Sequence, residues 1–387
     1  MQLLPNWMLQ TALVTQFYLY GRKHFTATGW LAASSSYPTP DALTAADLSE
    51  KVYIVTGATS GVGKKVTELL CAQGATVYMV CRNEGKAAAV AEEIRARPTT
   101  VDGGTGSATG GGTTPKIYTL TADVGVAADV RRVAEEFAAR NGPDRPLHGL
   151  VCNAGALLGE RTETSEGVEV TYAAHLLHGS YLLTELLRPS LARAPDARVV
   201  LVSSGGMYST KWPGAARAAS VGAFAGGYDG QGAYAIAKRG QVLLAEEWAR
   251  REGARASSSS GSSGGTGSSS NSNSKNSNSN NPITFVSAHP GWCATPGLEK
   301  AYGSARALEP MRDLHQGAEG IAWLVGAAPA EELRPGAFYL DRAPQPKHMA
   351  GFPLDRGGAF TTNTAAEIDA MMASLEEEAG QVCGAAR

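Results

Sequence analysis

The chain has no long apolar run, no pair of cysteines at CxxC spacing and no surplus of positive charge. Each absence removes a class of protein. The five cysteines, Cys71, Cys81, Cys152, Cys293 and Cys383, are odd in number and widely scattered, which indicates neither a disulfide framework nor a zinc site. They read as reduced thiols, in the cytoplasm or another reducing compartment. A net charge of −2 with both signs interspersed leaves no electrostatic footprint for nucleic acid. The uncharged N-terminal stretch MQLLPNWMLQTALVTQFYLYG is interrupted by Pro5, Asn6, Gln10 and Gln16, too polar for a spanning helix. It also lacks the basic start and small-residue cleavage site of a secretory leader. Trp7, Phe17, Tyr18 and Tyr20, followed by Arg22 and Lys23, suit packing on a domain surface first and a peripheral membrane interface second.

What is present falls into three parts. Residues 1–50 form a lead-in, 51–345 a patterned body, and 346–387 an extension with a short helix. Two low-complexity inserts, 99–114 (Gly and Thr) and 257–281 (Ser, Gly and Asn), cannot bury enough apolar surface to offset their ordering entropy and are expected to be mobile loops. Elsewhere, short apolar runs, most of them with β-branched residues, such as KVYIVTG, ATVYMVCR, KIYTLTADV, LHGLVCNAG, ARVVLVSSGG, ITFVSAHPG and GAFYLD, alternate with helical patterns. Such alternation predicts an α/β fold: a Rossmann-type doubly wound parallel sheet of about seven strands with helices on both faces. Ligands in such sheets bind beyond the carboxyl ends of the strands. Both inserts lie between a helix and the next strand, at the opposite edge.

The first strand ends in TGATSGVG, directly before a helix. Gly57, Thr59, Ser60, Gly61, Val62 and Gly63 there can turn the backbone tightly around a pyrophosphate, whose charge meets the helix's free N–H groups. The second strand ends in Cys81-Arg82-Asn83, where a carboxylate would bind the ribose 2′-hydroxyl of NAD and a cation the 2′-phosphate of NADP. With a guanidinium and no acid in that run, NADP(H) is preferred, NAD(H) being possible; a merely solvated Arg82 is the alternative. Further on, GAYAIAKRG puts Tyr234 and Lys238 four residues apart, one above the other on a helix face. In isolation that spacing more often means a half-buried tyrosine beside a solvated lysine.

Six motifs in order decide the matter: TGATSGVG, Asp123-Val124, Cys152-Asn153-Ala154-Gly155, Ser203-Ser204, Tyr234-Ala-Ile-Ala-Lys238 and His289-Pro290-Gly291. Between Lys51 and Asp341 the chain thus resembles the short-chain dehydrogenase/reductase superfamily. The resemblance implies an NADP(H)-dependent oxidoreductase, without metal, interconverting a carbonyl and an alcohol on a small, apolar substrate. Tyr234 would be the acid or base. Lys238 would lower the phenol's pKa from its usual value of about 10 and bind the nicotinamide ribose. Ser204, with Ser203 as the alternative, would hydrogen-bond the substrate oxygen. Asn153 would brace the sheet and the cofactor's ribose side, with Ala154 and Gly155 also against the cofactor; Asp123 and Val124 would meet the adenine, and Pro290, Gly291 and Thr295 would reach the nicotinamide or phosphates. A dinucleotide-binding sensor or scaffold without turnover is the rival from another class. Substrate walls are expected from 207–228 and 298–314. Tyr208, Trp212 and Trp292 there suit either an aromatic pocket or ordinary packing.

One departure stands out. The family's helix after the NAG turn presents an asparagine whose backbone orders a water linked to the active-site lysine. Here TYAAHLLHGSYLLT has His175 or Leu176 in its place, with one extra residue before Thr184. A π-bulge would absorb that residue and free a carbonyl. The relay is therefore expected to run through the backbone near His175, with an imidazole of pKa near 6.5 as an added path; a packed His175 and a broken relay is the alternative.

Overall fold

The computed structural model describes residues 6–97, 99, 114–214, 227–260, 281–295, 308–349 and 361–384. The mobility expected of the two inserts lies outside those residues, except that Ser257–Ser260 complete a helix.

Among the described residues eight strands form one sheet in the order β3-β2-β1-β4-β5-β6-β7-β8. They are β1 Val52–Thr56, β2 Thr76–Cys81, β3 Lys116–Thr121, β4 Gly149–Cys152, β5 Ala197–Val202, β6 Ile283–Ala288, β7 Phe338–Leu340 and β8 Ala343–Gln345. The first seven are parallel, and β8 adds an antiparallel edge. Strands β1, β4 and β5 are buried along their whole length, as strands covered by helices on both faces must be. Pairings Thr56↔Val80, Cys81↔Thr121, Cys152↔Leu201 and Val202↔Ala288 bring the carboxyl ends to one edge.

Helices α1 (Asn6–His24) and α2 (Ala27–Ser34) precede the sheet, and the crossovers are α3 (Gly61–Ala72), α4 (Glu84–Arg95) and α5 (Ala127–Asn141). Helix α6 (170–191) begins as α over Val170–Tyr172, winds as π over Ala173–Leu182 and returns to α over Leu183–Leu191. There follow α7 (Gly230–Ser260), α8 (Leu314–Ala322, continued by a π turn at Trp323–Ala327) and α9 (Ala365–Gly384). Local chemistry starts several of them. Asn83 accepts from the Lys86 N–H at α4, and Asp313 forms a capping box with Gln316 at α8. At α5 a distant carboxylate does the capping, Glu166 accepting from the Ala127 and Ala128 N–H groups at 2.7 and 3.1 Å.

The π winding of α6 has a cause in the sequence. A Cβ at Gly179 would lie 1.9 Å from the Ala174 carbonyl oxygen, so only glycine permits the wider turn there.

The lead-in packs on the body. Phe25 sits edge-on to Trp292 at 5.6 Å and to His289 at 4.4 Å, and the Tyr20 hydroxyl donates to Gln345 at 2.6 Å. A side chain at Gly21 would strike Trp292 at 2.4 Å. Among the described residues, no helix is long and apolar enough to cross a membrane. The C-terminal helix, at 20 residues, is longer than expected; it buries Met371, Met372 and Leu375, and Glu378 accepts from the Tyr172 hydroxyl.

Candidate active site

The site assembles where the carboxyl ends of β1, β4 and β5 meet the first turns of α3 and α7. Gly57 and Gly61 have φ of +68° and +56°, a region that costs other residues strain. A Cβ at Gly57 would lie 2.9 Å from Ala154 Cα, and one at Gly63 would lie 2.3 Å from the Asn153 amide. The triplet therefore turns the chain and lets β1 and α3 close on the NAG turn. At Gly61 a Cβ would touch only Thr295, at 3.5 Å, which places Thr295 across from the glycine loop. Ser60, exposed at the N-cap of α3, makes no side-chain cap bond, so the hydroxyl takes none of the first-turn N–H groups. A turn with glycine on its open side and uncapped N–H groups fits a pyrophosphate. Thr59 is half-buried beside it. Val62 points into the core and can contribute only its backbone.

Thr56, which the motif reading passed over, joins this loop to β4. Its hydroxyl donates to Val151 and accepts from the Asn153 and Ala154 N–H groups at 3.0 and 2.9 Å. Asn153 returns its side-chain amide to the Thr56 carbonyl at 2.9 Å. Asn153 is thus a brace between strands. Gly155 is required for another reason: a Cβ there would lie 1.7 Å from the His175 ring.

At the adenosine end, Arg82 is 71% exposed and leans toward Asp123, with 3.6 Å between Nη1 and Oδ2. So exposed a pair is weak, leaving the guanidinium free to move to an anion. Asp123 also accepts from the Gly125 N–H at 2.8 Å. Val124 is a core residue, available only through its backbone. Burial pushes the Cys81 thiol up to about 11, so that side chain brings no negative charge to the strand end.

Tyr234 is half-buried near the start of α7, with the Lys238 ammonium 5.4 Å from its ring centroid. Lys238 is 3% exposed and donates to the Val202 carbonyl at 2.6 Å. Burial brings its pKa down to about 7. The two serines after β5 separate cleanly. Ser203 is buried and spends its hydroxyl on the Lys238 carbonyl at 2.8 Å. Ser204 is half-buried, accepting only a 3.3 Å bond from the Gly206 N–H in a turn that abuts Ala235 of α7. The alternation along the strand thus leaves Ser204 on the cleft side.

Gly291 has φ +80° and backs onto Arg312, whose Nε would be 2.3 Å from a Cβ there, while the Pro290 carbonyl accepts from Cys293. These two shape the turn after β6. Of the two readings open for the aromatic residues, packing is the one found: Trp212 is 1% exposed with its backbone tied to Asn363, Tyr208 donates to the Pro346 carbonyl, and Trp292 lies against α1. Much of 207–228 and 298–314 lies outside the described residues.

The expectation for His175 needs correcting. It occupies the π segment, edge-on to Tyr234 at 5.3 Å, with Nε2 at Ala156. Burial first, then the Lys238 charge, holds the imidazole well below 6.5, so it is neutral and adds no path titrating near that value. Its carbonyl is not left open either: the Ser180 hydroxyl donates to it at 2.5 Å.

A glycine loop at a helix start, a braced NAG turn, a serine and a Tyr–Lys pair thus stand along one edge of this sheet, and comparison with known proteins gives the class of enzyme. The family described as short chain dehydrogenase matches residues 51–224. The chain belongs to the short-chain dehydrogenase/reductase family and is one of its oxidoreductases. Over 369 residues it is 31% identical to Dehydrogenase/reductase SDR family member 12 of Bos taurus, covering 93% of this chain and 96% of that one. The Homo sapiens protein of the same name is 29% identical over 363 residues, with the same coverage of 93% and 96%. Among solved structures, a short chain dehydrogenase from Escherichia coli CFT073 complexed with NADPH shares the fold with a TM-score of 0.51 and 20% identity, covering 77% of this chain and 99% of that one.

Proposed function

We propose that the protein is an NADP(H)-dependent oxidoreductase that interconverts a ketone or aldehyde and the corresponding alcohol on a small, apolar substrate. The observation that carries this reading is the Tyr234–Lys238 pair set beside Ser204. Gly57, Thr59, Ser60, Gly61, Gly63 and the backbones of Val62 and Val124 would hold the dinucleotide, with Asp123 and Arg82 at its adenosine end. Asn153, Ala154 and Gly155 would form the floor, and Pro290, Gly291 and Thr295 the far wall. When bound, the nicotinamide supplies or takes up the hydride. Arg82, with no acid in its run, supports a 2′-phosphate. The NADPH complex of the same fold supports a nicotinamide dinucleotide in this cleft.

In this reading the chain's own work is proton handling and orientation. Ser204 donates to the substrate oxygen and fixes it against Tyr234. Tyr234 gives that oxygen its proton in reduction and removes it in oxidation. The charged Lys238 favours the phenolate that results. The test is a panel of aldehydes and ketones, followed as NADPH oxidation by the full chain. Oxidation that depends on a carbonyl is expected. None anywhere on the panel, with NADPH binding intact, would favour the sensor reading.

A further inference from the structure

A line of buried hydrogen bonds runs from Lys238 to α6. The ammonium donates to Gln241 Oε1 at 3.0 Å, Gln241 Nε2 donates to the Ser180 hydroxyl at 3.0 Å, and that hydroxyl donates to the His175 carbonyl at 2.5 Å. Gln241 is 0% and Ser180 1% exposed, so the line is closed to bulk solvent. When Lys238 is charged, the polarity of the line is forced. An ammonium can only donate, so the glutamine oxygen must face it; the amide N–H must then face Ser180, whose own proton is left for the carbonyl. The π winding, in which a carbonyl faces the residue five ahead, sets Ser180 over His175.

Every donor in this line points away from Lys238. It ends on a carbonyl, which has no proton to return, and it passes through an amide, which does not release one near neutral pH. Such a line can hold an ammonium but cannot resupply it. We propose that Gln241 is a positioning residue: with Ser180 it holds Lys238 charged and in place beside Tyr234 and closes it off from solvent on the α6 side. The proton that leaves the Tyr234 oxygen for the substrate oxygen is then replaced by one from a water molecule in the cleft. This rests on the proposed roles of Tyr234 and Lys238.

The surroundings of Lys238 make the role measurable. Facing it are Tyr234 on α7, Cys152 at the end of β4, His175 on α6 and His289 after β6. Burial keeps Cys152 a neutral thiol, pushed up to about 12, and holds both imidazoles below their usual range. With the thiol protonated and both imidazoles uncharged, the Val202 and Gln241 oxygens are the hydrogen-bond acceptors that hold the ammonium beside the Tyr234 ring. Removing one of two acceptors shifts the titration.

The experiment labels lysine Nζ with ¹⁵N in the full chain and follows the Lys238 resonance, assigned by its loss in Lys238→Arg, against pH. Gln241→Leu is expected to lower the midpoint by about one pH unit, and Gln241→Glu, which adds an anion, to raise it. Ser180→Ala, which loosens the amide, moves it down by less and serves if Gln241→Leu does not fold. A midpoint unmoved by Gln241→Leu and Ser180→Ala, or moved the same way by Leu and Glu, overturns the proposal. The titration needs no turnover, so it can fail while the carbonyl panel succeeds, and the reverse. Where turnover is found, the pH profile of kcat is expected to shift in the same direction as the resonance.

Discussion

Arg312 meets Asp341 through two parallel contacts, Nη1–Oδ1 at 2.5 Å and Nη2–Oδ2 at 2.6 Å, with the arginine 1% exposed. Its other donors reach the carbonyls of His24, Phe25 and Thr26. One buried guanidinium thus ties the end of α1 to the turn between β7 and β8. The next residue in that turn, Arg342, does the same for α2 and the segment after it, pairing with Asp41 at 2.6 Å and with Glu319, which also accepts from Trp30 and Tyr37. Asp341 and Arg342 both sit at positive φ, 51° and 62°, as a two-residue hairpin turn demands. Arg312→Met should leave Asp341 buried without its partner and cost about 3–5 kcal/mol. Thermal unfolding and proteolysis of the lead-in are the measurements, and the first cuts should fall before Lys51.

Gly155→Ala is expected to be destabilising by about 1–3 kcal/mol, because the new methyl would occupy the position of the His175 ring. Pairing it with His175→Ala, which vacates that space, should recover part of the loss in a double-mutant cycle. Equal and additive costs would mean that the ring is not what Gly155 accommodates.

Arg82→Ala should weaken NADPH by about 2 kcal/mol, the value of a charge-assisted contact, and NADH far less. Because its pair with Asp123 is exposed, the substitution should leave the melting temperature nearly unchanged. Isothermal titration with both nucleotides reads the difference. Equal affinity of the wild type for NADH and NADPH would contradict the role given to Arg82.

Acid should unfold the protein through its buried histidines. Burial is the main cause that lowers His148 to about 4 and His289 to about 3, and it holds His175 well below 6.5. In the unfolded chain each takes up a proton near pH 6.5, while the folded chain does not until far lower. Stability from these groups is therefore full above pH 6.5 and is lost as pH falls toward 4, by up to about 1.4 kcal/mol per pH unit for each histidine. His148 accepts from the Val52 N–H through Nδ1, so protonation there breaks a strand-edge bond. Urea unfolding at several pH values should show the slope, and His148→Gln should reduce it by one proton's worth.

The parts legible in the sequence were those with a local or periodic signal. Seven short apolar runs marked the parallel strands. One residue too many before Thr184 marked the π winding of α6, which Gly179 makes possible. The Tyr234–Lys238 spacing and TGATSGVG carried the candidate site because their chemistry repeats at fixed offsets. Long-range contacts left no such mark. Nothing near Arg312 announces that it will hold residues 24–26, and the antiparallel β8 is three residues long with Pro344 in its middle. Ser203 and Ser204 could be told apart only once the Lys238 carbonyl was seen to claim Ser203. The π winding is expected to free a carbonyl near His175, and nothing in the sequence marks Ser180, five residues on, as the hydroxyl that reaches the one at His175. Gln241, three residues past Lys238, reads in the sequence as one more polar position on a helix.

The most direct test of the account is Tyr234→Phe, assayed beside the wild type for NADPH oxidation across the carbonyl panel and for NADPH binding. Loss of the hydroxyl removes the only group assigned to give the substrate a proton, while the ring can still pack edge-on to His175. The expected result is carbonyl-dependent oxidation by the wild type, turnover in the variant reduced by at least about a hundredfold, and nearly equal NADPH affinity in the two. A variant that turns over as fast as the wild type would contradict the assignment of Tyr234 as the acid and base of this site.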